Sequence, residues 1–355
     1  MRKILFLFTF LLSGLTFWAQ QTKILTAEKH NEYGLVYSLP NTSFKIEIVA
    51  VKEIFLAGPY SKYAKIFSGN DIVISENKEI WSIEKVLVTP YGVADTENQY
   101  LMQLKAGATT YIAVDENGML LAINSEPQKT IPESLSFIEI EGTPYSGKEY
   151  LDFVNEDFIV AQSSFKQSQL LAEEIMEIRD AKLSLTRGTA ETMPTDGRQL
   201  EIMLESLDKQ EKALYNAFTG SSWKERKSFT YSFTPEKEGK FILFRLNPMD
   251  GPVSASGKGE PVYISVSDIS EATLPVDAKG EEKKLPKDAV IYNIPGNAKI
   301  SVGTDATNLY SNTFPISQFG MQFGLNPSIF SDKKEPSFAI FDPNTGALLD
   351  LGIVK

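Results

Sequence analysis

Between Ser164 and Gly220 the apolar residues repeat with a helical period, and on both sides of that segment they repeat as strands do. This switch limits the chain to a β protein interrupted once by helices. Leu171, Ile175, Ile178 and Leu185 form one stripe, broken by Lys182. Leu200, Met203, Leu207, Leu214 and Phe218 form a second, broken by Glu211. The intervening "RGTAETMPTDG" is short, so the two helices must run antiparallel. Ser164 and Asp196 are the expected N-caps, and Gly220 suits the position past the second helix. Folding back about the loop pairs Leu185 with Leu200, Ile178 with Leu207, and Leu171 with Leu214.

Before the helices, "YGLVYSLP", "FKIEIVAVKEIFL", "EIWSIEKVLVTP" and "QYLMQLKA" read as strands. Phe44, Ile46 and Ile48 alternate with Lys45 and Glu47, as on a half-buried strand. "TTYIAVDENGMLLAI" reads as a hairpin, with Asn117 and Gly118 at positive φ. Residues 126–160 are broken by Pro127, Pro132, Gly142 and Pro144, and read as a linker with one strand in "SFIEIEG". Strands return in "SFTYSFTP", "KFILFRLNP", "PVYISVSD", "AVIYNIPGNAKISVG" and "SFAIFDPNTGALLDLGIV". The expected architecture is mainly β with an α-helical hairpin: two sandwich- or barrel-like β units separated by two long antiparallel helices. The units are 20–125 and 223–355, with the helices in 161–222.

The β regions echo one another. "VYSLPNTSFKIEI" and "IYNIPGNAKISV" share Tyr37/Tyr292, Pro40/Pro295 and Lys45/Lys299. Each region ends in a similar hairpin, "VDENGMLLAI" and "FDPNTGALLDLGI". The matches fit either a duplicated unit or the common grammar of strand, turn and strand.

Residues 1–19 have the form of a secretory signal peptide: Arg2 and Lys3, an apolar run from Ile4 to Trp18, then Ala19 before Gln20 and Gln21. The run is shorter than the roughly 20 apolar residues that span a bilayer. The expected location is the periplasm, cell surface or exterior, with no transmembrane segment in the mature chain. The chain has no cysteine, which removes disulfides, thiol catalysis, thiolate metal sites and a lipoprotein anchor. A formal charge of −11 disfavours nucleic acid and anionic lipid as partners.

Few residues suggest chemistry. His30, the single histidine, lies near the N-terminus, outside any strand pattern, where a catalytic triad or zinc site lacks support. "GPVSASGKGE" departs from a phosphate loop: five residues separate Gly251 from Gly257, and Gly259 follows Lys258. "DPNTGALLD" reads as a turn rather than a calcium loop, because Gly346 replaces an oxygen ligand. Glu201 and Glu205, one turn apart, read as an acidic outer helix face. No catalytic, cofactor or metal residue is assigned.

Three residues remain as a possible binding surface: Tyr60, Tyr63 and Arg245. In "GPYSKYAKIFSG", Tyr60, Tyr63, Ala64 and Phe67 share one face of a short helix. That face is expected to lay buried rings on the first β unit, with tyrosine hydroxyls at its edge. Arg245 shares a strand face with Phe241 and Leu243, either inward or, as favoured here, snorkelling out where the sheet face ends.

The segment "AEEIMEIRDAKLSLTRGTAETMPTDGRQLEIMLESLDKQEKALYNAFTG" resembles an exported family of unknown function from Bacteroides-like bacteria. The Tyr-x-[Leu/Ile]-Pro strands, "GPYSKYA" and "QFGMQFGLNP" are similar to that family too. The resemblance covers nearly the whole mature chain. It implies export and this domain order, and carries over no catalytic residue. Two functions are therefore expected: a non-enzymatic envelope or surface protein that binds another envelope protein or a glycan, or a glycan hydrolase using two carboxylates. Oligomeric state is not legible.

Overall fold

A computed structural model describes residues 21–24, 34–67, 69, 72–103, 111–128, 138–332 and 334–354. The expected signal peptide and His30 lie outside these. The chain begins with β1 (Gln21–Ile24) and β2 (Leu35–Leu56). A 3-10 turn at Ser61–Tyr63 leads into α1 (Ala64–Phe67), followed by β3 (Lys78–Gln103), β4 (Ile112–Val114) and β5 (Leu120–Ile123). Next come β6 (Ile138–Glu141), a 3-10 turn at Glu149–Phe153 and α2 (Glu156–Val160), then the long helices α3 (Ser164–Arg187) and α4 (Gly197–Thr219). The remaining strands are β7 (Ser221–Phe233), β8 (Gly239–Asn247), β9 (Gly251–Val253), β10 (Glu260–Ser270), β11 (Val290–Gly303), β12 (Asn308–Leu325), β13 (Ser337–Phe341) and β14 (Leu348–Ile353).

These strands make three antiparallel sheets, in the orders β1-β3-β2-β7-β6, β12-β11-β10-β8-β9 and β14-β13-β5-β4, and none closes into a barrel. The two β units expected on either side of the helices do not keep separate sheets. β7, from beyond the helices, pairs with β2 from Leu56↔Ser221 to Phe44↔Phe233. The third sheet joins β5 to β13, one strand from each end of the chain. A strand of 22 residues explains this exchange. β2 needs backbone partners on both edges, and α4 returns the chain beside the place where β2 ends. Gly58 and Gly220 make that junction. A Cβ on Gly58 would stand 2.5 Å from the Ala217 carbonyl oxygen, and Gly220 has φ +74°.

β2 was expected as two strands. A register shift between Ser38 and Pro40 absorbs the proline and keeps the strand continuous. β3 is likewise one strand, with a second shift at Val49/Ala50. The sequence did not announce β1, β9 or β12.

The first two sheets pack face to face. Phe44, Ile46, Ile48 and Val88 meet Phe244, Val262, Ile264, Val266, Ala298, Ile300, Val302 and Ile316. Tyr231 stacks on Phe244 with ring centres 4.8 Å apart. The third sheet covers one end, where Leu120, Ile123, Ala339 and Phe341 bury Tyr37, Tyr100, Met102, Val290 and Tyr292. A third apolar cluster joins α3 and α4 to the short helical segments before them.

The sequence echo is also an echo in space. Ser38 bridges to Met119, and Asn293, its counterpart, bridges to Ala347. The Ser38 amide donates to the Gly118 carbonyl at 2.9 Å and the Asn293 amide to the Gly346 carbonyl at 3.1 Å. β2-β3 with β4-β5 thus matches β11-β12 with β13-β14, which is the arrangement a duplicated unit gives. The first hairpin turn differs from expectation in one angle: Gly118 has positive φ and Asn117 does not. Asp115 holds Asn117 instead, accepting the amides of Asn117 and Met119.

The repeats differ at Ser38 and Asn293. The buried Asn293 amide donates to the carbonyls of Pro40 and Thr345, at 3.1 and 2.8 Å. Ser38 makes only a 3.4 Å side-chain bond from Gln99. Asn293→Ala leaves two buried carbonyls without these donors, and should cost about 1–3 kcal/mol. Ser38→Ala should cost clearly less. Urea unfolding of both variants checks the difference, and equal losses would contradict it.

Candidate functional site

The short helix at Gly58–Phe67 packs on the helical hairpin, not on the first β unit. Its rings meet aromatics that the helical segments supply. Tyr60 is buried, with its ring centre 5.8 Å from Tyr150, 6.2 Å from Phe158 and 6.3 Å from Phe218. Its hydroxyl donates to Gln167 Oε1 at 3.1 Å. Burial, reinforced by Tyr150, pushes the phenol pKa well above its ordinary value. Tyr63 is half-buried against Phe165, and its hydroxyl shares a hydrogen bond with Ser164 Oγ at 3.0 Å. That bond and the nearby Lys62 ammonium, 4.8 Å from the ring centre, lower its pKa. Of the two tyrosines, Tyr63 keeps a substantial exposed surface.

Arg245 belongs to another part of the molecule. β8 pairs Phe244 with Val262 and Ile242 with Tyr263, leaving Leu243 as an extra residue in a bulge. The bulge changes the phase of the strand, so Phe244 is fully buried and Arg245 turns out. Its guanidinium donates to the carbonyls of Ala255 and Gly259, at 2.9 and 3.0 Å. It therefore clamps the "SASGKG" loop, which the sequence suggested as a hairpin connection but which instead joins β9 to β10 across the end of β8, the strand that pairs with both. The three expected surface residues are not brought together.

The helical hairpin holds the two interruptions of its apolar stripes against each other. Lys182 Nζ lies 2.8 Å from Glu211 Oε2 and also binds Asp208, while Arg179 Nε lies 2.6 Å from Glu211 Oε1. These bonds set residues 179–182 level with 208–211 rather than with 203–206, about one and a half helical turns from the expected leucine pairing. The N-cap of α3 is Ser163, one residue before the expected Ser164, with its hydroxyl accepting the Lys166 amide. Asp196 caps α4 as expected.

Toward the loop the helices part. A groove of about 560 Å³ opens there, lined by Ala181, Ser184, Leu185, Met203, Leu207 and the loop residues 189–192. Small side chains on α3 leave the gap. Met203 belongs to the inward stripe of α4, yet it is 41% exposed, and Ile202 on the same helix and Met193 in the loop are exposed too. Nearer the sheets the same stripes are buried by Tyr60, Tyr150 and Phe158.

A second cluster lies on the outer face of the first sheet, and the sequence reading missed it. Arg226 on β7 takes Glu84 at 2.6 Å and Glu141 at 2.7 Å, with Glu139 at 4.0 Å. Glu84 is the extra residue of the bulge in β3, which aims it across β2. Four neighbouring strands, β3, β2, β7 and β6, must be in register before the cluster exists, so no local motif announces it. The bond from Arg226 lowers the Glu84 pKa. Ion-paired and depressed, Glu84 is unsuited to donate a proton to a leaving group. Glu174 has a raised pKa from burial and the neighbouring Glu177, but its recess among Val154, Phe158 and Leu171 has no room for a sugar. Glu201 pairs with Arg198 on an exposed face, as expected. Among the described residues, no group of three acidic or histidine side chains is placed to hold a metal, and no helix is long and apolar enough to cross a membrane.

The fold and these sites define a mainly β protein of two packed sheets, a capping sheet and one helical hairpin. Residues 33–349 match the model of a domain of unknown function (DUF4831), and the chain belongs to that family. No curated protein and no solved structure matches it.

The Lys182–Glu211 pair carries a prediction. Burial raises the Glu211 pKa, but Lys182 and Arg179 outweigh it, so the folded value lies below the ordinary one. Such a group stabilises the fold above the unfolded carboxylate value, about 4.3, and that contribution is lost as pH falls through the folded value. Helical circular dichroism should therefore weaken on acidification below about pH 4. Glu211→Gln should lower the melting temperature at pH 7 and blunt this acid response. Lys182→Met with Glu211→Met should lose less than the sum of the two single changes, because both remove the same Lys182–Glu211 bond.

Proposed function

We propose that this is an exported, non-enzymatic protein of the cell envelope or cell surface, which binds or assembles with an envelope protein through the free end of its helical hairpin. The observation that carries the reading is the groove between α3 and α4. Helical stripes that are buried near the sheets continue to the loop without a described third element over them. Exposed Met203, Ile202 and Met193 suit a partner's apolar helix or side chain, since methionine adapts its shape to what it meets. The N-terminal residues 1–19 support export, and the net charge of −11 suits a protein kept apart from nucleic acid.

The test uses the chain with its own N-terminus in the cells that make it. Processing after Ala19 and recovery from the envelope or medium are expected. A photo-crosslinker placed at Ile202 should give a discrete heavier product, and Met203→Glu in the same chain should reduce that product at least about tenfold. An unprocessed cytoplasmic chain would overturn export. A crosslink that is absent, or unchanged by Met203→Glu, would overturn the hairpin as the binding element.

A further inference from the structure

Six strands end the three sheets, and five of them are short or carry charge. β1 and β6 have four residues each, with Lys23 on one and Glu139 and Glu141 on the other. β4 and β9 have three, and β14 carries Asp350. The length of β3 that β1 leaves uncovered holds Glu79, Glu84, Lys85, Asp95 and Glu97, with a bulge and Pro90. β7 leaves Ser221–Trp223 and the uncharged Ser228–Phe233 beyond β6, two short stretches. These are the usual protections of a sheet edge against pairing with another chain.

β12 lacks them. It is an edge of 18 residues without a charged side chain. The uncharged stretch runs from Ala306 to Ser331, in a chain where 23% of residues are charged. Along its second half, Ser317 and Gln318 bind Thr42, and Gln322 binds Tyr100. Along Asn308–Phe314, the described strand pairs only with β11. Ser311, Asn312 and Thr313 are exposed there, and Pro315 ends the run.

We propose that Asn308–Phe314 is a dimerisation edge, on which β12 of a second copy of this chain adds antiparallel about a two-fold axis through Ser311. The charge distribution selects the occupant. Two copies that each carry −11 repel, and they approach with least cost where no charge stands. A basic partner would instead be drawn to the acidic faces. A two-fold axis needs only one self-pairing strand, and it joins the second sheets of two copies into one continuous sheet. Ser311 then faces its own copy and Tyr310 faces Asn312, in the regular run between the shift at Leu309 and Pro315. The inference is independent of export and of the groove between the helices.

Sedimentation equilibrium of the processed chain, from about 1 to about 100 µM, should show a reversible dimer of the weak class that a small interface gives. Ser311→Lys sets two lysines face to face at the axis and should weaken the dimer at least about tenfold with an unchanged melting curve. The chain has no cysteine, so Ser311→Cys gives a single thiol. Oxidation should link that variant into a disulfide dimer, while Ser254→Cys on the exposed loop should not be linked. A chain monomeric throughout the range would overturn the proposal. So would a dimer indifferent to Ser311→Lys, or a Ser311→Cys chain that does not crosslink.

Discussion

The backbone of β2 must find hydrogen-bond partners along both edges for 22 residues, and most of the architecture answers that demand. β3 supplies one edge and β7 the other from Phe44 to Leu56, while the Ser38 and Thr42 amides before it find Gly118, Ser317 and Gln318. The side chains of β2 meet three environments in turn. Tyr37 and Leu39 lie under the capping sheet, Phe44, Ile46 and Ile48 face the second sheet, and Leu56 reaches the base of the helices. Burial on both faces is why so few of its residues reach solvent, and why even Glu47 is 1% exposed beside Lys45. A charge so placed needs its pairing, since burial alone disfavours it.

The helical hairpin depends on the same strand. It leaves the sandwich after α2 and returns at Gly220, where no larger residue fits beside Leu56. Two close backbone approaches, at Gly58 and Gly220, anchor α4 to the end of β2. Tyr60, Tyr150 and Phe158 then pack edge to face on one another, with Tyr60 tilted against Phe218, and fix the near half of the hairpin. The far half is held mainly by the Arg179, Lys182, Asp208 and Glu211 network. Apolar packing dominates at one end and ion pairing at the other, so the loop end is the part least stabilised by buried area.

Period and turn chemistry were legible in the sequence, and pairing between distant strands was not. The two long helices, the cap at Asp196 and the turn glycines could be read because each depends on residues within one or two turns. The placement of β7 in the first sheet could not, because Ser221–Phe233 carries no mark of the strand it will join. Lys182 and Glu211 looked like flaws in two stripes until the fold set them together. Arg245 was misphased by a bulge that arises only when β8 pairs with β10. Tyr60 and Tyr63 were correctly placed on one helical face. The surface they cover, however, is made of Tyr150, Phe158 and Phe165, which lie far along the chain. The Glu84–Arg226–Glu141 cluster needs four neighbouring strands, and no spacing in the sequence encodes it.

The two repeats allow features required by the fold to be separated from features that are not. β7 flanks β2 as β10 flanks β11, so each repeat has the same three-strand core. Positions that match across the repeats, such as Tyr37 with Tyr292 and Gly118 with Gly346, serve that common core. Tyr37 also ties the repeats together, because its hydroxyl accepts the Ile291 amide at 2.8 Å and donates to the same residue's carbonyl. What differs between the repeats has no such explanation. The helical hairpin is inserted once. β3 is bulged and charged where β12, its counterpart, is uncharged along its whole length. A shared core would tolerate charge on both edges, since those side chains reach solvent in either repeat. Charge on that outer strand is therefore a property of the single repeat and not of the core the two share.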